Sequence, residues 1–350
     1  MMKQKRLRTV RFLFSFIWTI LERLLTRTTV TGLENIPRDN QTPIIFAGNH
    51  ASTYDPPLLM YHIPMMVRPV GPADFKLLFP ANLVVENLGV IGIKRGKSDT
   101  ESLKKMLGVL KGGENLALFA DGGTWEKRID DVKPGAAYLS LMSKAHIIPV
   151  AISGTYQVWS RIFQLKRPRI TLHFAPPMPI VTNENRKERQ QDLRHASLEL
   201  MDIIHHHLTP AEQARYDLYA RQQFSAQVSV LPDSLTPPDN DFSVLAELIS
   251  KPNLFSPLHR NLKLPLAPFL QPEKYHAADD FVVAVTSLHT ILENELDGFM
   301  DYRVGEHKTR KFMTECEQFE AFCQDAATQD LVVRFLPKIT ILDTPLPPNE

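Results

Sequence analysis

The sequence predicts an α/β fold, a central sheet with helices on its faces. Short apolar runs alternate with amphipathic stretches between residues 40 and 180. Several of those runs end in polar residues and glycines, at the strand ends where such sheets place ligands. A chain of 350 residues with 43% hydrophobic content can bury a full core and a second unit.

Taken in order, the chain opens with Lys3, Lys5, Arg6, Arg8 and Arg11 ahead of an apolar, aromatic run from Phe12 to Leu21, interrupted by Glu22 and Arg23 and closed by Leu24 and Leu25. About 14 helical residues reach roughly 21 Å, short of the ~30 Å hydrocarbon core, and no small-residue cleavage pattern follows. Residues 1–26 therefore read as an interfacial helix, aromatics at headgroup depth and cations on anionic lipid. A helix docked on the protein's own core is the other reading of the same residues.

Pro43–Ala47 reads as a buried strand and Pro56–Met60 as a helix leaving the loop that follows. Ser98 with Glu101 offers a capping box for a helix carrying Leu103, Met106, Leu107 and Leu110 on one face. Strands are expected near 116–120, 146–152 and 169–175, a helix near 135–144, and a closing helix from about Asn183 to His207. The His205–His207 run resembles a metal tract by composition, but adjacent helix positions face different ways, so it reads as a frayed last turn.

The loop after the first strand holds Asn49-His50-Ala51-Ser52-Thr53-Tyr54-Asp55. A base must reach the proton it removes, and a carboxylate on the other imidazole nitrogen fixes the tautomer and stabilises the imidazolium. His50 and Asp55 supply that pair for acyl transfer onto a hydroxyl, with no serine or cysteine nucleophile needed. Asp55 before Pro56 is equally a good helix cap, and its two oxygens allow both roles. A histidine and an aspartate five positions apart also recur by chance in a chain with 12 histidines, so context has to carry the reading.

Gly89-Val90-Ile91-Gly92-Ile93-Lys94-Arg95-Gly96 is a short strand ending in two cations; Arg95 offers a bidentate grip on a phosphate and Lys94 a point charge, or the two are a solvated loop. Leu116-Ala117-Leu118-Phe119-Ala120-Asp121-Gly122-Gly123 is a strand running into a carboxylate and two glycines, which let backbone approach a ligand or simply make a turn. Ile147-Ile148-Pro149-Val150 reads as a buried strand.

In this order the four blocks resemble the glycerolipid acyltransferases typified by 1-acyl-sn-glycerol-3-phosphate acyltransferase, from about Val30 to Pro179. Asn49, His50 and Asp55 match the first block, Gly89 and Arg95 the second, Phe119 and Gly122 the third, and Ile148, Pro149 and Val150 the fourth. In the third block Ala120 replaces the usual proline and Asp121 the usual glutamate. The resemblance implies a mixed central sheet flanked by helices, His50 as base, Asp55 as its orienter and Arg95 as phosphate ligand. It also implies an acceptor site made by Asn49, Lys94, Asp121, Gly122 and Gly123. The substrates it implies are an acyl-CoA or acyl-carrier-protein thioester and a lysophospholipid, with no metal and no bound cofactor.

The acyltransferase domain is expected over residues 27–224. Residues 225–350 follow as a proline-rich linker, 231–239, and a mainly helical region of unknown role with helices near 241–250, 279–300 and 306–325. Packing on the catalytic domain, a dimer contact and a docking surface for a carrier protein are all open for it. Net charge of +1 argues against a nucleic-acid binder, and two cysteines, Cys316 and Cys323, suit a reducing compartment. A cytoplasmic protein held peripherally on a membrane is the expectation. The competing reading is a catalytically silent lipid-binding or membrane-adaptor protein that keeps the fold.

Overall fold

The computed structural model describes residues 15–38, 42–72, 89–93, 99–179, 186–255, 258, 263–294 and 298–346. Its central sheet holds β1 (Arg27–Thr31), β2 (Ile44–Gly48), β3 (Val67–Pro72), β4 (Ile91–Ile93), β5 (Asn115–Phe119), β6 (His146–Ser153) and β7 (Arg169–Phe174). The strand order is β1-β7-β6-β2-β5-β3-β4. β2 is central and fully buried, parallel to β5 on one side and β6 on the other, while β6 and β7 run antiparallel. The sheet is therefore mixed, as the resemblance implies. A strand buried on both faces reads as an unbroken apolar run, which is why Ile44, Ile45, Phe46 and Ala47 do not alternate.

Two layers of helices cover the sheet. One core joins Leu116, Leu118 and Ile147 to helices α3 (Thr100–Lys111), α4 (Gly135–Ser143), α6 (Arg186–His207) and α7 (Pro210–Ala220). The other joins Phe46, Ile148, Ile152 and Phe174 to α1 (15–25), α2 (Asp55–His62) and α5 (Val158–Phe163). The cap of α3 is Asp99, which accepts the Ser102 N–H at 2.9 Å, one residue on from the expected Ser98, which lies outside the described residues.

The cations of the expected interfacial helix, at residues 3–11, lie outside the described residues, and α1 begins at residue 15. Trp18 is buried against the core, Glu22 accepts His62 Nε2–H at 2.9 Å, and Thr19 and Tyr61 share a hydrogen bond at 2.9 Å. Its other face leaves Phe16, Ile17, Ile20, Leu21 and Leu24 exposed, at 62% and 65% for the first and last. Among the described residues no helix is long and apolar enough to cross a membrane.

The C-terminal part has its own core and, besides helices, its own sheet. β8 (Gln222–Leu231) pairs antiparallel with β10 (Val332–Ile341) along all ten residues, and β9 (His276–Ala277) joins at the start of β10. Helices α8 (Ser243–Ile249), α9 (Ala267–Leu270), α10 (Ala278–Asn294), α11 (Phe299–Val304) and α12 (Glu306–Thr328) make up the rest. The expected boundary at residue 225 falls inside β8, and the 231–239 segment links β8 to α8 within this unit. Cys316 and Cys323 are free thiols buried on α12, and burial raises the pKa of both.

Candidate active site

Parallel pairing brings the carboxyl ends of β2, β5 and β6 to one edge, so the residues after Gly48, Phe119 and Ser153 converge there. The His50 loop leaves β2 at this edge. Asn49 fixes its start: fully buried, it donates from Nδ2 to the Ile152 carbonyl (2.9 Å) and accepts the Ile152 N–H on Oδ1 (2.8 Å). Expected at the acceptor, Asn49 instead clamps the loop onto β6.

Asp55 closes the loop from its other end. Its Oδ2 lies 2.9 Å from His50 Nδ1 and accepts the N–H groups of Ala51 (2.7 Å) and Ser52 (2.8 Å). The carboxylate points back into its own turn, and α2 begins without a side-chain cap, so the loop takes the oxygen that the helix would have used. A carboxylate only accepts, so Nδ1 carries the proton and Nε2 presents its lone pair. The ring stacks on Phe119 with centroids 4.0 Å apart, and the side chain stays 15% exposed.

Asp121 lies beneath this loop. It is 1% exposed and its Oδ2 accepts the His50 N–H at 2.8 Å, so it holds the backbone of His50. Burial raises its pKa, against the pull of Lys127 and His50. Lys127 Nζ is equally buried, 3.6 Å from the same oxygen, and donates to the Gly123 carbonyl. Burial brings Lys127 down to about 8, with Asp121 and Asp131 opposing. Each partner is thus pushed toward its neutral form by desolvation and toward its charged form by the other.

Gly122 and Gly123 are covered by aromatic side chains of the chain itself. Gly122 has φ +79°, and a Cβ there would meet the Tyr302 hydroxyl of α11 at 2.7 Å; one on Gly123 would strike the Trp125 ring at 1.8 Å. The amides of His50, Ala51, Ser52 and Gly122 are all engaged within the chain, the last by the Phe119 carbonyl at 3.2 Å. Lys94 and Arg95, the expected phosphate ligands, lie outside the described residues, directly after β4. Among the described residues no three metal-binding side chains come together; His207 stacks on His173 at 4.1 Å.

Sequence reasoning missed Lys127, Trp125, Tyr302 and Trp159. A signal for the first two was present, since Thr124-Trp125-Glu126-Lys127 puts a large aromatic and a cation directly after the Asp-Gly-Gly turn. Tyr302 lies 180 residues from Gly122, and Trp159, whose Nε1–H donates to Thr53 Oγ1 at 2.8 Å, comes from helix α5. No local pattern points to either contact.

A mixed α/β sheet with a histidine–aspartate pair at the carboxyl edge of its central strand defines the class, and residues 27–153 match the family model described as Acyltransferase. The match agrees with the four-block resemblance and is confined to this segment. Among solved structures the chain is similar to the 1-acyl-sn-glycerophosphate (LPA) acyltransferase PlsC from Thermotoga maritima. The identity is 20% and the TM-score 0.41, over 57% of this chain and 79% of that one. No curated protein matches.

Proposed function

We propose that the chain transfers a fatty acyl group from an acyl-CoA or acyl-carrier-protein thioester to the free hydroxyl of a lysophospholipid, with 1-acylglycerol-3-phosphate as acceptor and phosphatidic acid as product. The observation that carries this reading is the His50–Asp55 pair, whose geometry leaves Nε2 unprotonated at the carboxyl edge of the sheet. Nε2 takes the acceptor's hydroxyl proton, and the oxygen attacks the thioester carbonyl. The C–S bond then breaks, and the leaving thiolate takes the proton back from the imidazolium. Asp55 stabilises that imidazolium through Nδ1.

In this scheme Asn49 and Asp121 position the loop: Asn49 bonds the Ile152 backbone through both its amide atoms, and Asp121 Oδ2 holds the His50 N–H beside Lys127 Nζ. The developing oxyanion draws on donors other than the four engaged amides. The acceptor's phosphate goes to Arg95 and Lys94 by resemblance. No metal or bound cofactor takes part, and the work is done at a membrane surface on the cytoplasmic side.

The test is release of free thiol from an acyl thioester in the presence of lysophosphatidic acid. His50→Ala should lower it by about 100-fold to 10,000-fold with the fold unchanged. A variant keeping more than a tenth of wild-type turnover rules out His50 as base. Lipid binding with no thiol release, across a panel of donors and acceptors, selects the silent adaptor instead.

A further inference from the structure

The turn that closes α5 carries apolar side chains which the protein's interior does not use. Phe163 is 80% exposed and Leu165 88% exposed, with Trp159 one helical turn behind them. Leu165 adopts φ +56°, the left-handed conformation at a helix end that glycine ordinarily takes. Backbone bonds from Leu165 N–H to the Ile162 carbonyl (2.8 Å) and from Lys166 N–H to the Arg161 carbonyl (2.9 Å) hold it there. A large apolar residue in a glycine's place, pointing at solvent, has its use outside the chain.

This turn adjoins the C-terminal end of α1. Arg167 donates to the Thr26 carbonyl at the end of α1 (3.2 Å), and Arg27 N–H to the Pro168 carbonyl (2.9 Å). Ring contacts run from Trp18 to Tyr54 (5.0 Å), Tyr54 to Trp159 (5.6 Å) and Trp159 to Phe163 (6.3 Å). The surrounding charge has one sign. Residues 158–168 hold Arg161, Lys166 and Arg167 with no carboxylate, and the carboxylate of α1, Glu22, is buried against His62. Apolar tips ringed by cations match an anionic lipid surface, where aromatic and leucine side chains enter the headgroup layer and arginine and lysine meet phosphates. Trp159 also ties the turn to the active site through its bond to Thr53, inside the His50–Asp55 loop.

We propose that Trp159, Phe163 and Leu165 form a membrane-docking element, which enters an anionic bilayer and brings the His50 loop to acceptors held in that bilayer. The inference rests on the acyltransferase reading only for its last clause.

The experiment is co-sedimentation of the full chain with phosphatidylglycerol–phosphatidylcholine vesicles. Phe163→Ser with Leu165→Ser should weaken partition by about tenfold or more. Turnover on a short-chain, water-soluble acceptor should stay at the wild-type level while turnover on a long-chain acceptor in vesicles falls with binding. Arg161→Glu with Lys166→Glu should abolish the preference for anionic over zwitterionic vesicles. Unchanged sedimentation of the serine variant overturns the proposal. So does a wild type that is dimeric in solution and whose serine variant has half the mass, since the face then belongs to a second copy. If no acceptor is turned over by any form, the enzymatic reading fails, and sedimentation still decides the docking.

Discussion

A carboxylate accepts hydrogen bonds and never donates them, and this property orders the site residue by residue. Asp55 gathers three N–H groups on one oxygen, so replacing it with Asn puts amide chemistry where an acceptor is needed and unsettles both the tautomer and the loop. Asp121 does the same for the His50 N–H, but in full burial it depends on Lys127 for its charge. Lys127 faces Asp121, Asp131 and Lys133, and its ammonium titrates near 8. Its charged form is the low-pH form, so the pair is intact below that value and is lost as pH rises through it. Turnover should accordingly fall on the alkaline side near pH 8, and Lys127→Met, with nothing to titrate there, should be slow throughout and lack that limb. The same limb persisting in the methionine variant would detach Lys127 from the base. For Arg95, replacement by Ala should raise KM for a phosphate-bearing acceptor far more than for the thioester, with Lys restoring part of the loss. Equal effects on both substrates would instead mean a structural role. His50 and Asp55 were legible because their partnership is local, five positions apart. Asn49 was legible as a residue but not in its role, since its partner Ile152 lies on another strand.

Among the elements, the strands with one long apolar run and the helices with a clear apolar face were legible, and the ends of β8 and β10 were not. β8 does alternate, with Phe224, Ala226, Val228 and Val230 on one face, but it follows a helix directly and runs into prolines. β10 contains Pro337, which argues against a strand. The structure resolves the conflict: Ala226 N–H donates to Asp241 rather than to β10, so Ala226 and Pro337 form a non-hydrogen-bonded pair and the missing N–H costs no ladder bond. Other joints between elements are electrostatic. Glu315 on α12 accepts the N–H groups of Val244 (3.0 Å) and Leu245 (2.8 Å), capping α8 from another helix. Glu247 on α8 pairs with Lys251 (2.5 Å) and, on α12, Lys308 (2.9 Å). Burial alone would raise the Glu247 pKa, but the two lysines overrule it and bring the carboxyl down to about 2. A depressed carboxylate stabilises the folded state above its unfolded pKa, and that stability is lost as pH falls toward the folded value. The joint should therefore weaken between about pH 4.5 and 2, by roughly 2–3 kcal/mol. Glu247→Gln should remove this acid-sensitive share, which unfolding in urea at pH 6 and pH 3 measures as a smaller difference between the two conditions than in wild type.

Across the whole molecule, the segment that follows β5 is the joint between the two units. Trp125 leaves the central sheet and lies in the C-terminal core beside Tyr302, with ring centroids 6.1 Å apart, and Arg303 stands over its indole at 5.1 Å. Glu126 accepts the Asn253 N–H at 3.1 Å, and Arg128 donates to the Leu346 carbonyl at 2.8 Å. Lys127, between them, sets its ammonium over the Trp125 ring at 4.3 Å and beside Asp121 under the His50 loop. Four consecutive residues thus bind the C-terminal core and the underside of the His50 loop together, and the family match ends at residue 153, far short of the partners they touch. The two units should then lose structure as one. Heating the full chain should give a single transition in which far-UV ellipticity and thiol-releasing activity disappear together. Trp125→Ala deletes a buried indole shared by both sides, which typically costs about 3–5 kcal/mol, and should lower that one transition rather than split it. Two separated transitions, with turnover surviving the first, would mean that the C-terminal unit is an independent attachment and that the contacts of residues 125–128 do not support the site.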